Sequence, residues 1–265
     1  MNIRHALPVA VLLSGLPTLA AGYAFGTAAP DGQTVQQNQV SGTPVIWGNP
    51  QQTFLFNFGG DFDASAAAAM EEWNAVGTAM QWGLGSVAAQ PCNSGDHINS
   101  SGWRATTCDN AAFGDAIAVT KRSYEKIGDT WYFADADIVV DNTQHWDPHY
   151  DGPLRNDHTQ DFRRVILHEL GHALGLDHPD DAGQYVTAIM NSQISAIDSL
   201  QQDDKDGITF LYAGITGSSS NTAFQTSSSN GGGSGGWLIP LLAVAAWRRR
   251  PPAVDNMLTA LPNGW

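Results

Sequence analysis

The sequence predicts an α+β domain in which a twisted mixed β-sheet packs on helices. Three observations carry that expectation. Compact strand-like runs occupy the first part of the chain. Two long segments repeat apolar residues every three or four positions, as helices with one buried face do. The length of 265 residues, 42% hydrophobic and 14% charged, suits one globular domain with appendages.

The elements follow in chain order. Residues 1–24 read as a secretory signal peptide: Arg4 precedes an apolar run from Ala6 to Ala21, broken by Pro8 and Pro17, and small residues lead up to Ala24. Export, and so a secreted or extracellular location, is the expectation. Residues 25–44 are polar and read as a flexible entry segment. The folded domain is expected over residues 45–215. Thr53–Phe58 is aromatic and compact, a buried strand ended by Gly59 and Gly60. Ala64–Met80, capped by Asp63 or Ser65, places Met70, Trp73, Val76 and Met80 at helical spacing, with Trp73 as core.

Cys92 and Cys108 are the only cysteines and lie in a Gly/Ser/Asn-rich stretch, where a disulfide would close a 15-residue loop in an oxidising compartment. Two metal-binding thiols are the alternative, without a CxxC or Cys-His spacing to support it. Ala116–Thr120 and Thr130–Phe133 flank a turn at Gly128 and read as a hairpin, and Ala136–Val140 as a further strand. Residues 141–158 read as a loop. Asp161–Gly175 and Ser199–Tyr212 read as helices.

The chemistry concentrates in His168-Glu169-Leu170-Gly171-His172-Ala173-Leu174-Gly175-Leu176-Asp177-His178. On a helix, His168 and His172 share one face a turn apart and can share a cation. Gly175 can leave the helical region without steric penalty, so the chain turns back and presents His178 as a third nitrogen. Three neutral imidazoles keep the full charge of Zn2+ and leave one position open, where a water becomes acidic enough to attack a carbonyl. Glu169 is then the natural general base. A closed structural zinc site needs the imidazoles but explains neither the adjacent carboxylate nor the turn glycine.

This run resembles the signature of the metzincin metallopeptidases, which a methionine turn follows. Here the matching segment is Ala188-Ile189-Met190, with Met190 as the apolar floor beneath the metal. Among metzincins the chain is most similar to the matrixins over residues 45–214. Ser192 stands where serralysins and astacins carry a tyrosine, whereas Pro179 is more serralysin-like. The resemblance implies a zinc cleft between a larger upper and a smaller lower part, substrate lying extended beside an edge strand, and Asp203 and Asp204 holding the methionine turn. It also implies that the family's thiol latch on zinc is missing, since neither cysteine precedes the catalytic domain. Matrixins often hold structural metals near the region of His145, Asp147, His149, Asp151, Asp157 and His158, so Ca2+ or a second Zn2+ is weighed there against a plain solvated loop. Asp135, Asp137 and Asp141 are read as solvated strand ends rather than calcium ligands.

Residues 216–236 read as a Gly/Ser-rich linker and 237–265 as a tail. Trp237–Trp247 is apolar but too short for a bilayer span, and Arg248-Arg249-Arg250 follows. The pattern resembles C-terminal sorting signals of exported bacterial proteins, with a transient membrane or cell-surface contact as its consequence.

Residues 25–236 hold 8 basic against 25 acidic side chains, a net of −17 that repels phosphate backbones and argues against a nucleic-acid partner. The expected activity is a secreted zinc endopeptidase acting on protein or peptide substrates. The competing readings are a noncatalytic surface or adhesion protein with a structural zinc, and a metal-dependent hydrolase of a nonpeptide substrate.

Overall fold

The computed structural model describes residues 22–86, 89–93, 96–149, 157–215 and 243–248. Residues 1–21 of the leader expected over 1–24, the linker 216–236, the rest of the tail outside 243–248, and Asp151 lie outside them. The elements run β1 (Ala24–Ala28), β2 (Val35–Gln39), β3 (Ile46–Trp47), β4 (Gln51–Asn57), α1 (Gly60–Asn74), β5 (Gln81–Leu84), β6 (Asn99–Arg104) and β7 (Ala116–Ile127). They continue with β8 (Thr130–Asp141), β9 (His145–Asp147), β10 (Thr159–Asp161), α2 (Phe162–Leu174), β11 (Leu176–Asp177), α3 (Gln202–Tyr212) and β12 (Ala243–Arg248).

The expected α+β class holds. A mixed sheet has the order β12-β7-β8-β6-β4-β5, with β3 also on β8. Strands β4, β5, β6 and β8 run parallel to one another, whereas β7 lies antiparallel to β8. Helices α1 and α2 pack on each other. Phe54, Met70, Trp73, Ile138, Phe162, Ile166 and Leu170 join sheet and helices in one core.

The hairpin at Gly128 (φ +63°) is as expected, but its arms are longer. Thr130–Phe133 and Ala136–Val140, read as two strands, are one continuous β8. Its first half alternates between buried and half-exposed residues, and its second half is buried on both faces, so the two halves look different in sequence. The covering on the far face is the cysteine loop: Cys92, Cys108 and Phe113 pack on Ala116, Val119 and Val139. Cys92 and Cys108 form the expected disulfide. Replacing both cysteines by Ala should lower stability by about 3 kcal/mol on the loop-entropy model. Urea denaturation checks it, and an unchanged midpoint would show that the loop is held by its packing alone.

Several expectations need correction. The first long helix stops at Asn74 instead of Met80, because the Asn74 amide pairs with both the N–H and the C=O of Trp82 and Gly77 (φ +81°) turns the chain into β5. Its N-cap is Gly59, while Asp63 accepts from the Phe58 N–H. Strand β6 was not expected, since Asn99-Ser100-Ser101 is polar. Its side chains are satisfied internally: Asn99 and Ser101 donate to the carbonyls of Thr53 and Leu55, and Ser100 to Asp137. Asp135, Asp137 and Asp141 are buried rather than solvated. Burial pushes Asp137 up to about 6 against its bonds from Ser100 and the Cys92 N–H.

Residues 25–44, read as flexible, instead build β1 and β2. With β11 they form a second small sheet of order β11-β1-β2, and Phe25 is fully buried. Among the described residues no helix is long and apolar enough to cross a membrane.

Candidate metal centre

Helix α2 begins where the Asp161 carboxylate accepts the Arg164 N–H. Every residue of α2 except Arg163 is buried, which fixes both rotation and depth of the helix. His168 and His172 therefore project from one face. Gly175, left-handed at φ +112°, ends α2. A Cβ there would sit 3.0 Å from the Phe133 ring, so both the conformation and the close approach require glycine. The chain then enters β11, pairs with β1 through Ala24↔Asp177 and Phe25↔Leu176, and delivers His178.

The three Nε2 atoms converge. His172 lies 3.0 Å from both His168 and His178, and His168 is 3.3 Å from His178. Four-coordinate zinc with ordinary Zn–N bonds places its nitrogens about 3.3 Å apart, close to this spacing. The other ring nitrogens are engaged: His168 Nδ1 with the Ile189 carbonyl at 2.7 Å, His172 Nδ1 with the Leu176 carbonyl at 2.8 Å, and His178 Nδ1 with Asp181 at 3.0 Å. Those acceptors require the proton on Nδ1, which leaves lone pairs on all three Nε2 atoms. Three acceptors cannot bond to one another, so the arrangement suits a shared cation. Burial holds His168 and His172 well below the usual histidine range, in the neutral form a metal needs. The residues present thus fit zinc.

Glu169 is fully buried between α2 and β7. Thr120 Oγ1 donates to its Oε2 at 2.6 Å, while Oε1 has no hydrogen-bond partner. Burial pushes the carboxyl up to about 8, opposed by Thr120 and the Arg122 charge. A nearby dication would favour the ionised form.

Met190 is buried against α2. The Asp204 carboxylate accepts from the N–H groups of Ile189 (2.9 Å) and Met190 (3.2 Å), and Ile189 in turn accepts from His168. Asp204 also accepts from the Gln201 N–H, forming the capping box of α3. Of the two acids expected at the methionine turn, only Asp204 touches it; Asp203 instead accepts the Gly22 N–H. Ser192 bonds to Asp180 through both its N–H and hydroxyl.

Gly171 is a tight point. A Cβ there would run into Met190 Sδ and approach Trp73 Cζ2 to 2.9 Å. Gly171→Ala should therefore cost about 1–3 kcal/mol by overpacking. Zinc titration and thermal melts check it; an unperturbed protein would show that the methionine moves freely.

Sequence reasoning missed the ion pair that supports the third histidine. Arg122, fully buried on β7, donates to Asp177 at 2.5 Å and to the His172 carbonyl. Asp177 also accepts the Asn38 N–H, and the His178 N–H donates to Asn38. Arg122 lies just past the strand expected over Ala116–Thr120, and the arrival of β11 with Asp177 makes it interior. At the end of β8, Asp141 accepts from Thr143 and Gln144, and farther along the chain His149 pairs with Asp61 at the surface. Among the described residues, metal-ligand side chains come within reach of one ion only at His168, His172 and His178.

Residues 112–213 match the family model described as matrixin. Over 85 residues the chain is 40% identical to the interstitial collagenase of Oryctolagus cuniculus, a stretch that is 30% of this chain and 17% of that protein. The chain thus spans a small part of that relative. A solved structure, the crystal structure of myroilysin, aligns with a TM-score of 0.34 and 16% identity over 63% of this chain and 86% of that one.

Proposed function

We propose that this chain, which carries a matrixin-like metzincin domain, is a secreted zinc endopeptidase that hydrolyses peptide bonds with Glu169 as general base. The observation that carries this reading is the convergence of three Nε2 lone pairs beside a buried carboxylate. Secretion rests on the leader-like residues 1–24.

His168, His172 and His178 would hold the zinc, and Met190 packs against the helix that carries the first two. When bound, the metal acidifies a water and polarises the scissile carbonyl. Thr120 fixes Oε2 of Glu169, so Oε1 is the oxygen that takes the proton as water attacks the carbonyl carbon. Glu169 then gives that proton to the departing amine as the C–N bond breaks. The Arg122–Asp177 pair and the Ile189 carbonyl hold the rings that face the metal. A cavity of about 310 Å3, lined by Tyr185, Val186, Asn191 and their neighbours after the third histidine, offers room for a substrate side chain.

The test is zinc content and hydrolysis together. The full chain should bind about one zinc and cut an unstructured protein such as casein, lose that activity to a chelator, and regain it with zinc. Zinc bound without hydrolysis would favour the structural-zinc reading.

A further inference from the structure

Strand β7 has two edges. One pairs with β8, and the other is taken by β12, a segment of the chain's own C-terminal tail. The pairing is antiparallel and runs Ala243↔Arg122, Val244↔Lys121, Ala245↔Thr120, Ala246↔Val119 and Trp247↔Ala118, with an irregularity before Arg248↔Ala116. Ala245 is thereby opposite Thr120, the residue whose hydroxyl holds Glu169. Strand β12 also packs against α2, the helix that carries His168, Glu169 and His172. Its backbone thus lies against the strand that carries Thr120 and the helix that carries His168, Glu169 and His172.

From this placement we propose that residues 243–248 are an intramolecular pseudo-substrate, a strand of the chain itself that competes with substrate for the edge of β7. The proposal rests on the peptidase reading for its consequence, and on the strand pairing alone for its contact. Three physical facts support it.

An edge strand has one row of free backbone groups, and it can pair with only one extended chain at a time. While β12 is in place an incoming peptide has no ladder to join. Next, tethering is sufficient in reach and strength. Twenty-seven residues separate Ile215 from Ala243, and that many can span up to about 90 Å, far more than a domain radius. A tethered segment acts at an effective concentration in the millimolar range, so even a weak six-residue strand occupies its site appreciably. Last, charge favours the contact: residues 25–236 carry a net of −17, and the segment ends in Arg248, which Arg249 and Arg250 follow in the sequence.

The test keeps the full zinc-loaded chain and breaks the ladder. Successive N–H groups of a strand point to opposite edges, so the double variant Val244→Pro, Ala245→Pro removes a donor toward β7 whichever residue faces it. Hydrogen exchange of the Ala116–Arg122 amides and steady-state hydrolysis of a peptide are measured on both proteins. The expected result is exchange at least ten-fold faster in the variant, KM several-fold lower at unchanged kcat, and both changes reversed by adding a synthetic peptide of residues 243–248 at millimolar concentration. Identical exchange in the two proteins overturns the contact. Faster exchange with unchanged KM overturns the competition. If exchange changes as expected but neither protein hydrolyses peptide, the peptidase reading fails while the pairing stands, so the two failures are told apart.

Discussion

Glu169→Gln is expected to lower kcat/KM for a peptide substrate by about 10²–10⁴-fold, the usual contribution of a positioned general base. The loss should fall on kcat, because the amide keeps the shape of the carboxylate and its acceptor oxygen can still take the Thr120 hydroxyl, while nothing remains to accept a proton. Zinc content should stay at the wild-type value, since the ligand nitrogens belong to other residues. Stability should hold or rise, because the variant replaces a fully buried ionisable group with a neutral one. Steady-state kinetics with metal analysis and a thermal melt on one preparation measure all three. Full activity in the variant would remove Glu169 from the reaction, and a loss of zinc together with activity would make it a support for the metal site instead.

His172→Ala should have its largest effect on the metal. His172 is the middle ring of the cluster, 3.0 Å from each partner, so its loss removes one ligand and leaves the other two without a third corner. Bound zinc should fall from about one per chain to near zero at micromolar metal. Because a metal held at 1,000 times its dissociation constant stabilises the folded state by about 4 kcal/mol, the wild type should melt several degrees lower in chelator. The variant should show little difference between zinc and chelator. His145→Ala, at an exposed position in β9, is the control and should behave like the wild type. A variant at His172 that still binds zinc stoichiometrically would mean that the three nitrogens do not act together.

These two expectations rest on the part of the site most legible in the sequence. His168 and His172 are set by helical spacing and His178 by one glycine three residues after His172, so the ligand set is encoded within eleven consecutive residues. The hairpin at Gly128, the two helices around it and the disulfide were legible for the same reason: each depends on a local turn, period or pair. Strand β6 was hidden, because its polar side chains are satisfied by β4 and β8, which lie far away in sequence. The entry segment looked loose because β1 and β2 acquire their partner only when β11 turns back after α2.

By itself, then, the amino-acid order determined the helical ligand pair, the turn that returns the third ring, the neighbouring carboxylate and the α+β class, since these depend on backbone periodicity over a few residues. Tertiary structure alone decided which groups orient them. Arg122 was assigned to Asp177, Thr120 to Glu169 and the tail to the free edge of β7, and of the two acids expected at the methionine turn only Asp204 was brought to it. The physical reason is that a buried charge or an open strand edge takes whatever complementary group the fold brings within about 3 Å. That partner is chosen by chain topology, which no local pattern records.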